Sequence, residues 1–143
     1  MALFGREKKI KYLRKIPILQ GCTRQQLVAV ARISDITEVP AGTPLARAGD
    51  PGKEFFIILD GTARVQVPAR KRSRLGPGDF FGEISLLDGE PRSATVVAET
   101  PLRLLVLNRP AFWALLTEVP QLSYKILVTL SRRVRQAEKS LRA

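Results

Sequence analysis

The chain has 143 residues, among them 24 Lys and Arg, 13 Asp and Glu, one Cys and no His, and its formal net charge is +11. This length fits a single domain, and 45% hydrophobic with 26% charged residues is the balance of a soluble globular protein. The absence of His excludes histidine general bases, imidazole metal ligands and Ser-His-Asp arrangements. Cys22 alone excludes an intrachain disulfide and a zinc-cysteine cluster. We therefore expect that the protein is not an enzyme, that it binds no metal and that it resides in a reducing compartment.

The sequence also argues against a membrane segment or a secretory signal. Its longest apolar runs are five or six residues, such as Phe55–Leu59, whereas a membrane-spanning helix needs about 20. The N-terminal segment is rich in Lys and Arg and lacks the continuous apolar stretch of a signal peptide. A cytoplasmic protein of bacterial type is expected.

Positive charge is concentrated in three places. Residues 1–16 and residues 121–143 each carry six Lys or Arg against one Glu, and a third cluster comprises Arg70, Lys71, Arg72 and Arg74. Such clusters attract phosphates without sequence specificity. Two interpretations stay open: solvated helix faces with an exposed hairpin tip, or contact with nucleic acid or another acidic partner.

The first 33 residues are predicted to be helical. Arg6–Lys15 forms a short basic segment that Pro17 ends. Thr23 is a good N-cap for a second helix over Gln25–Ile33, in which apolar residues recur at helical spacing.

Residues 34–108 are predicted to be β structure, because Gly and Pro interrupt them every few residues. Four short β-type runs lie between the interruptions: Phe55–Leu59, Ala63–Val67, Ala94–Ala98 and Leu102–Leu107. Helix resumes in residues 109–143, first after Pro110 and again from Pro120 towards Arg142. The sequence therefore predicts one domain over residues 1–143, mainly β with flanking α-helices.

One segment departs from the pattern of strands and carries candidate chemistry. Gly82 precedes a single predicted helical turn over Glu83–Leu87, and Arg92 and Ser93 follow it. A helix N-terminus offers free N–H groups to an anion, and an arginine fork suits a phosphate. Glu83 supplies only acceptors, which suits a sugar hydroxyl. Each residue alone has a plainer interpretation, since an acidic residue in a first helical turn is commonly exposed and complements the helix dipole.

The segment Phe81–Val96 (FGEISLLDGEPRSATV) resembles the phosphate-binding cassette of cyclic nucleotide-binding domains. These domains occur in bacterial catabolite-activator-type regulators, cyclic-nucleotide-dependent kinases and gated channels. The resemblance extends over residues 39–50, 55–65 and 75–81, and in all from about Ile16 to Arg135. It implies a β-roll (a jelly-roll-like double-stranded β-helix) over residues 34–108, with N-terminal helices and two C-terminal helices.

The resemblance also implies roles for individual residues. Glu83 would bind the ribose 2′-hydroxyl and Arg92 the cyclic phosphate. Backbone N–H groups and small side chains would assist at Gly82, Ile84, Ser85, Ser93 and Ala94. An apolar wall for the base would come from Val65, Leu75 and Val97. Core positions that hold the cassette would be Phe80, Phe81, Leu86 and Leu87.

Departures from the family pattern shape the functional expectation. Regulators of this family continue into a helix-turn-helix domain, whereas this sequence ends at Ala143. Base-capping positions of the last helix fall near Ala137 and Glu138, and alanine offers no side-chain donor. We expect a stand-alone sensor that binds cAMP in preference to cGMP, moves its C-terminal helix and signals to an effector protein not identified by the sequence. The alternatives are a nucleic-acid-associating transcriptional regulator, or a fragment of one, using the basic termini, and an interaction module that has lost nucleotide binding.

The last predicted helix carries an apolar seam. Leu127, Leu130, Val134, Ala137 and Leu141 recur at alternating spacings of three and four residues. Family regulators dimerise through the equivalent helix, so the seam predicts a homodimer. The seam is short, and packing of the helix on its own β-roll remains the alternative.

Overall fold

The structure, a computed structural model, describes residues 5–68 and 71–142; Arg70 of the basic cluster lies outside them. The helices are α1 Arg6–Leu13, α2 Arg24–Ile33, α3 Glu83–Asp88, α4 Arg109–Glu118 and α5 Pro120–Arg142, with a 3-10 turn at Pro17–Leu19. The strands are β1 Asp35–Val39, β2 Pro44–Ala46, β3 Glu54–Asp60, β4 Ala63–Gln66, β5 Ser73–Leu75, β6 Phe80–Phe81, β7 Thr95–Ala98 and β8 Leu102–Asn108. Among these helices none is long and apolar enough to span a bilayer.

The strands form two four-stranded sheets in which every pair is antiparallel. The first sheet has the order β1-β8-β3-β6 and the second β2-β7-β4-β5. Four successive residues of β3 are buried, because this central strand is covered on both of its faces. Phe55 and Ile57 belong to the core shared with the helices, and Phe56 and Ile58 to the core with residues of the second sheet. This arrangement confirms the predicted β-roll.

The N-terminal and C-terminal helices pack together on the first sheet. Leu13, Leu27, Phe112 and Leu122 are fully buried members of one core cluster. At the start of α2 the Thr23 hydroxyl and the Gln26 side chain cap one another's backbone N–H groups. The predicted helices at both ends of the chain are confirmed.

Some of the Lys side chains in the two terminal segments stabilise this packing of the helices. Lys9 Nζ in α1 donates to the carbonyl of Ala31 at 2.7 Å, and Lys125 Nζ in α5 donates to the carbonyl of Gln20 at 2.6 Å. Arg24 forms an ion pair with Glu7. Lysine ammonium groups therefore satisfy carbonyls where the chain leaves helical structure, so these cations are not spread over a solvated face.

Candidate functional site

A cavity of about 580 Å³ lies between the second sheet, the segment around α3 and the second half of α5. The sheet supplies mainly apolar side chains together with Ser73 and Arg74, the α3 segment supplies Gly82 to Ser85 and Arg92 to Ala94, and α5 supplies mainly polar side chains. Besides the two ranges just named, the lining residues are Ala46, Val65, Val67, Lys71, Ser73, Arg74, Leu75, Phe81, Val96, Thr129, Arg132, Arg133, Gln136, Ala137 and Ser140. The cavity thus has an apolar wall on one side and charged or polar walls on the others.

Arg92 lies in the wall of this cavity and is only 9% exposed. Its Nη1 donates to the carbonyl of Gly82 at 3.2 Å, and its Nη2 donates to the carbonyl of Glu54 at 3.0 Å. The guanidinium carbon lies 6.0 Å from the centre of the Phe56 ring. Burial lowers the pKa of Arg92, against the opposing effect of the Glu54 and Glu83 carboxylates. The side chain is a buried cation fixed in direction by two carbonyls.

Glu83 is the buried acid of the same wall, with 1% of its surface exposed. Its Oε1 accepts a hydrogen bond from Arg133 Nη1 at 2.6 Å. Its Oε2 is buried and has no hydrogen-bond donor among the described residues. Burial raises the pKa of Glu83, although the charge of Arg133 opposes the shift. One carboxylate oxygen is therefore buried without a side-chain partner in the part of the chain that the structure describes, and the backbone N–H of Glu83 itself also favours the ionised form.

Arg133 connects α5 to the segment that precedes α3. Besides its ion pair with Glu83, its Nη2 donates to the carbonyl of Phe80 at 2.9 Å. Its guanidinium carbon lies 4.8 Å from the centre of the Phe80 ring. Arg133 thus joins the last helix directly to Glu83, the residue predicted to bind the ribose.

The charge of the cavity wall is strongly positive. Five of its residues are cationic, namely Lys71, Arg74, Arg92, Arg132 and Arg133, and one, Glu83, is anionic. Arg74 pairs with Glu99 outside the cavity at 3.0 Å. The arrangement favours an anionic ligand that also carries a hydrogen-bond donor for Glu83.

Nine of the ten site residues predicted from the sequence line this one cavity. The tenth, Val97, does not, and its neighbour Val96 does. Adjacent residues of a strand point to opposite faces, so Val97 lies on the other face of β7. At this position of β7 the cavity is therefore lined by Val96 and not by the predicted Val97.

Two further expectations about neighbouring residues are corrected. Leu87 is 43% exposed, whereas Phe80, Phe81 and Leu86 are buried as predicted. Of the two base-capping positions, Ala137 lines the cavity and Glu138 lies on a different face of α5.

Sequence reasoning missed Arg133 and the carbonyl of Glu54. Arg133 is 50 residues from its partner Glu83, and nothing in the local sequence links them. A signal was nevertheless present in α5, because Thr129, Arg133, Gln136 and Ser140 recur at helical spacing and form a polar stripe. These residues all line the cavity.

Comparison with known proteins agrees with this geometry. Residues 36–119 match the family model of the cyclic nucleotide-binding domain. The cyclic nucleotide-gated potassium channel mll3241 of Mesorhizobium japonicum is 39% identical over 108 residues, which cover 76% of this chain and 30% of the channel. This chain therefore matches less than a third of that relative's length.

Two solved structures share the fold. The catabolite activator protein of Thermus thermophilus has a TM-score of 0.75 and 30% identity over 87% of this chain and 61% of its own. The regulatory domain of protein kinase A from Toxoplasma gondii, solved with cAMP, has a TM-score of 0.74 and 25% identity over 92% of this chain and 50% of its own. The family model spans more than half of the chain and overlies the sheets, α3 and Arg92, so this chain belongs to the cyclic nucleotide-binding domain family.

Proposed function

We propose that the cavity binds a cyclic mononucleotide, cAMP in preference to cGMP, and that the domain acts as a ligand sensor and performs no catalysis. The observation that carries the proposal is the buried Glu83, which lines the same cavity as the buried cation Arg92 and whose Oε2 lacks a hydrogen-bond donor among the described residues. A ligand that presents a hydroxyl donor close to a phosphate satisfies both groups. The ribose ring of a cyclic nucleotide carries a free 2′-hydroxyl next to its cyclic phosphate.

The remaining walls suit the other parts of this ligand. Val65 and Leu75 offer apolar surface to the base, and Ser93 adds a hydroxyl beside Arg92. On α5, Gln136 and Ser140 can donate and accept hydrogen bonds, which Ala137 cannot. Cyclic AMP is favoured because the Toxoplasma gondii relative was solved with it.

The ion pair of Glu83 with Arg133 provides a route from ligand to helix. A ribose hydroxyl that donates to Glu83 shares the carboxylate with the guanidinium of Arg133, which α5 carries. If the ligand binds one pose of α5 better than another, it shifts the population towards that pose by that difference in affinity. Movement of the C-terminal helix is therefore the proposed output.

The relatives suggest more than one kind of receiver for this helix movement. One of them is a potassium channel, and another is a catabolite activator protein. Action as a stand-alone sensor with a separate effector protein remains our prediction.

The test compares two arginines by calorimetric titration with cAMP. Arg92→Ala removes a charge-assisted hydrogen bond worth about 1.5–3 kcal/mol, which weakens binding roughly 10- to 150-fold. Arg72→Ala is the control, because Arg72 is exposed and does not line the cavity, and its charge is screened beyond about 8 Å at physiological salt. Equal, small effects of the two changes, or no heat with cAMP or cGMP, would reject nucleotide binding at this site.

A further inference from the structure

The turn between β2 and β3 holds Arg92 although it contributes no side chain to the cavity. The backbone N–H of Gly49 donates to the carbonyl of Arg92 at 2.8 Å, and the N–H of Arg92 donates to the carbonyl of Asp50 at 2.8 Å. Further along the same segment, the carbonyl of Glu54 accepts from the Arg92 guanidinium. Residues 49–54 therefore form hydrogen bonds with the backbone of this arginine and with the end of its side chain.

Gly52 lies between these two points of attachment. A Cβ atom added to Gly52 would lie 2.3 Å from the Cβ of Ser85, 2.8 Å from the Oγ of Ser85 and 3.0 Å from the Nε of Arg92. The first of these distances lies far inside van der Waals contact, so one of the neighbours would have to move. The space at Gly52 is filled by two residues that line the ligand cavity.

The requirement for glycine at this position comes from the contact alone. Gly82, which also touches Arg92, has a φ of +94°, where any side chain is strained whatever the space around it. Gly52 is not among the glycines with positive φ. Alanine at position 52 is therefore not strained by a left-handed backbone, and the atoms that its Cβ would meet belong to Ser85 and Arg92.

We propose that Gly52 is a positioning residue for ligand binding: its missing side chain lets the Arg92 guanidinium lie between the carbonyls of Glu54 and Gly82. The inference rests on the proposed function, in which Arg92 binds the cyclic phosphate. It adds a third segment, the β2–β3 turn, to the phosphate site formed by α3 and Arg92. Gly52 acts through Arg92 and makes no ligand contact of its own.

The experiment measures cAMP affinity by calorimetry for the wild type, Gly52→Ala and a matched control, Gly76→Ala. Gly76 also lacks a positive φ, and a Cβ atom there would meet no atom within 4 Å. We expect Gly52→Ala to weaken cAMP binding by about tenfold or more, as expected for loss of a well-aligned charged hydrogen bond. Gly76→Ala should bind as the wild type does.

A double-mutant cycle separates positioning from a general structural effect. In a Ser85→Gly background, where only Arg92 is left to meet the added Cβ, Gly52→Ala should weaken cAMP binding, and it should cost little further affinity once Arg92 is also alanine. A purely structural defect would persist in that background. Ser85→Gly removes the nearest clashing atom, so the pair Gly52→Ala/Ser85→Gly, compared with Ser85→Gly alone, replaces Gly52→Ala if that variant does not fold.

The outcomes distinguish the two proposals. If the wild type binds cAMP and Arg92→Ala weakens binding, the proposed function stands, and an unchanged affinity for Gly52→Ala overturns the positioning role. The positioning role is also overturned if Gly52→Ala costs as much affinity in the Ser85→Gly/Arg92→Ala background as in the Ser85→Gly background. A wild type that binds neither cAMP nor cGMP overturns both proposals.

Discussion

The carboxyl group of Glu83 lies in the cavity wall, where burial and charge act on it in opposite directions. Burial favours the neutral acid, while the guanidinium of Arg133 favours the carboxylate. Burial has the larger effect, so the pKa of Glu83 is raised above its ordinary value of 4.5. A ribose hydroxyl that donates to this group favours the ionised form. Ligand binding and ionisation of Glu83 are therefore linked.

This linkage gives cAMP affinity a predicted pH dependence. Affinity should fall as the pH decreases through the raised pKa of Glu83, because the protonated acid loses acceptor capacity. Glu83→Gln should bind more weakly than the wild type at neutral pH and should lack this dependence. The measurement is calorimetric titration at a series of pH values from neutral towards 4.5, with Glu90→Gln, an exposed neighbour, as control. A wild-type affinity that is constant over the range contradicts the assignment.

The same shift has the opposite sign for the stability of the ligand-free fold. Because the folded pKa of Glu83 is raised, its contribution to the free energy of unfolding is fully present below the unfolded pKa. That contribution is lost as the pH rises through the folded pKa. Glu83 therefore contributes less to the stability of the ligand-free fold at neutral pH than at acidic pH.

Among the secondary-structure elements, α5 has two functional faces. Arg133 and the polar stripe face the ligand cavity, while Leu127 and Val134 are exposed on another face. The contact of Arg133 with Glu83 and Phe80 is a direct link between this helix and the segment around α3. The order in which the strands and helices occur would not reveal this link, because it depends on the rotation of α5 about its own axis.

Removal of Arg133 alone should destabilise the domain more than removal of both charges of the Arg133–Glu83 ion pair. Arg133→Ala leaves Glu83 as a buried charge without its partner, which is costlier than losing both charges. The free energy of unfolding in urea at neutral pH should therefore be lower for Arg133→Ala than for Arg133→Ala combined with Glu83→Gln. The neighbouring Arg132→Ala serves as control and should stay within about 0.5 kcal/mol of the wild type, since Arg132 is exposed. Equal losses for the single and double variants would mean that the ion pair does not hold α5.

Over the whole molecule, the parts predictable from sequence are those with strong local patterns. The apolar run of β3 and the capped helix α2 appear within one or two residues of their predicted bounds. By contrast, β6 has two residues and β2 has three, too few for a period-2 pattern to be recognised. They form strands because longer neighbours pair with them.

The candidate site divides along the same line. Glu83 and Arg92 were predictable because the cassette that carries them is one continuous segment. Gly52 and the pairing of Arg133 with Glu83 were not, since Gly52 reaches the site through the closing of the β-roll and Arg133 through the packing of α5, from 40 and 50 residues away along the chain. Contacts of that kind depend on tertiary packing, which a single sequence does not display.

The exposed apolar face of α5 bears on assembly. Leu127, Val134 and Leu141 are 63%, 57% and 76% exposed, so the stripe does not pack on its own β-roll. Leu130 alone packs partly against the core, and Ala137, expected in the same seam, lines the ligand cavity. Leu127, Leu130 and Val134 instead lie together on one face of α5.

We expect a second copy of the chain to cover this stripe. Fully burying one Val or Leu side chain stabilises by about 1.5–3 kcal/mol. In a two-fold contact between copies of α5, each copy would bury the same residues, so every residue of the stripe contributes from both copies. Val134→Glu should therefore produce monomers in light scattering while the domain stays folded, because Val134 is exposed within one copy. Leu130→Glu is a less direct test, since it also disturbs the core. Leu87→Glu, an exposed apolar position on α3, should leave the mass unchanged. A wild type that is monomeric at high micromolar concentration would show that α5 presents this stripe to a different partner.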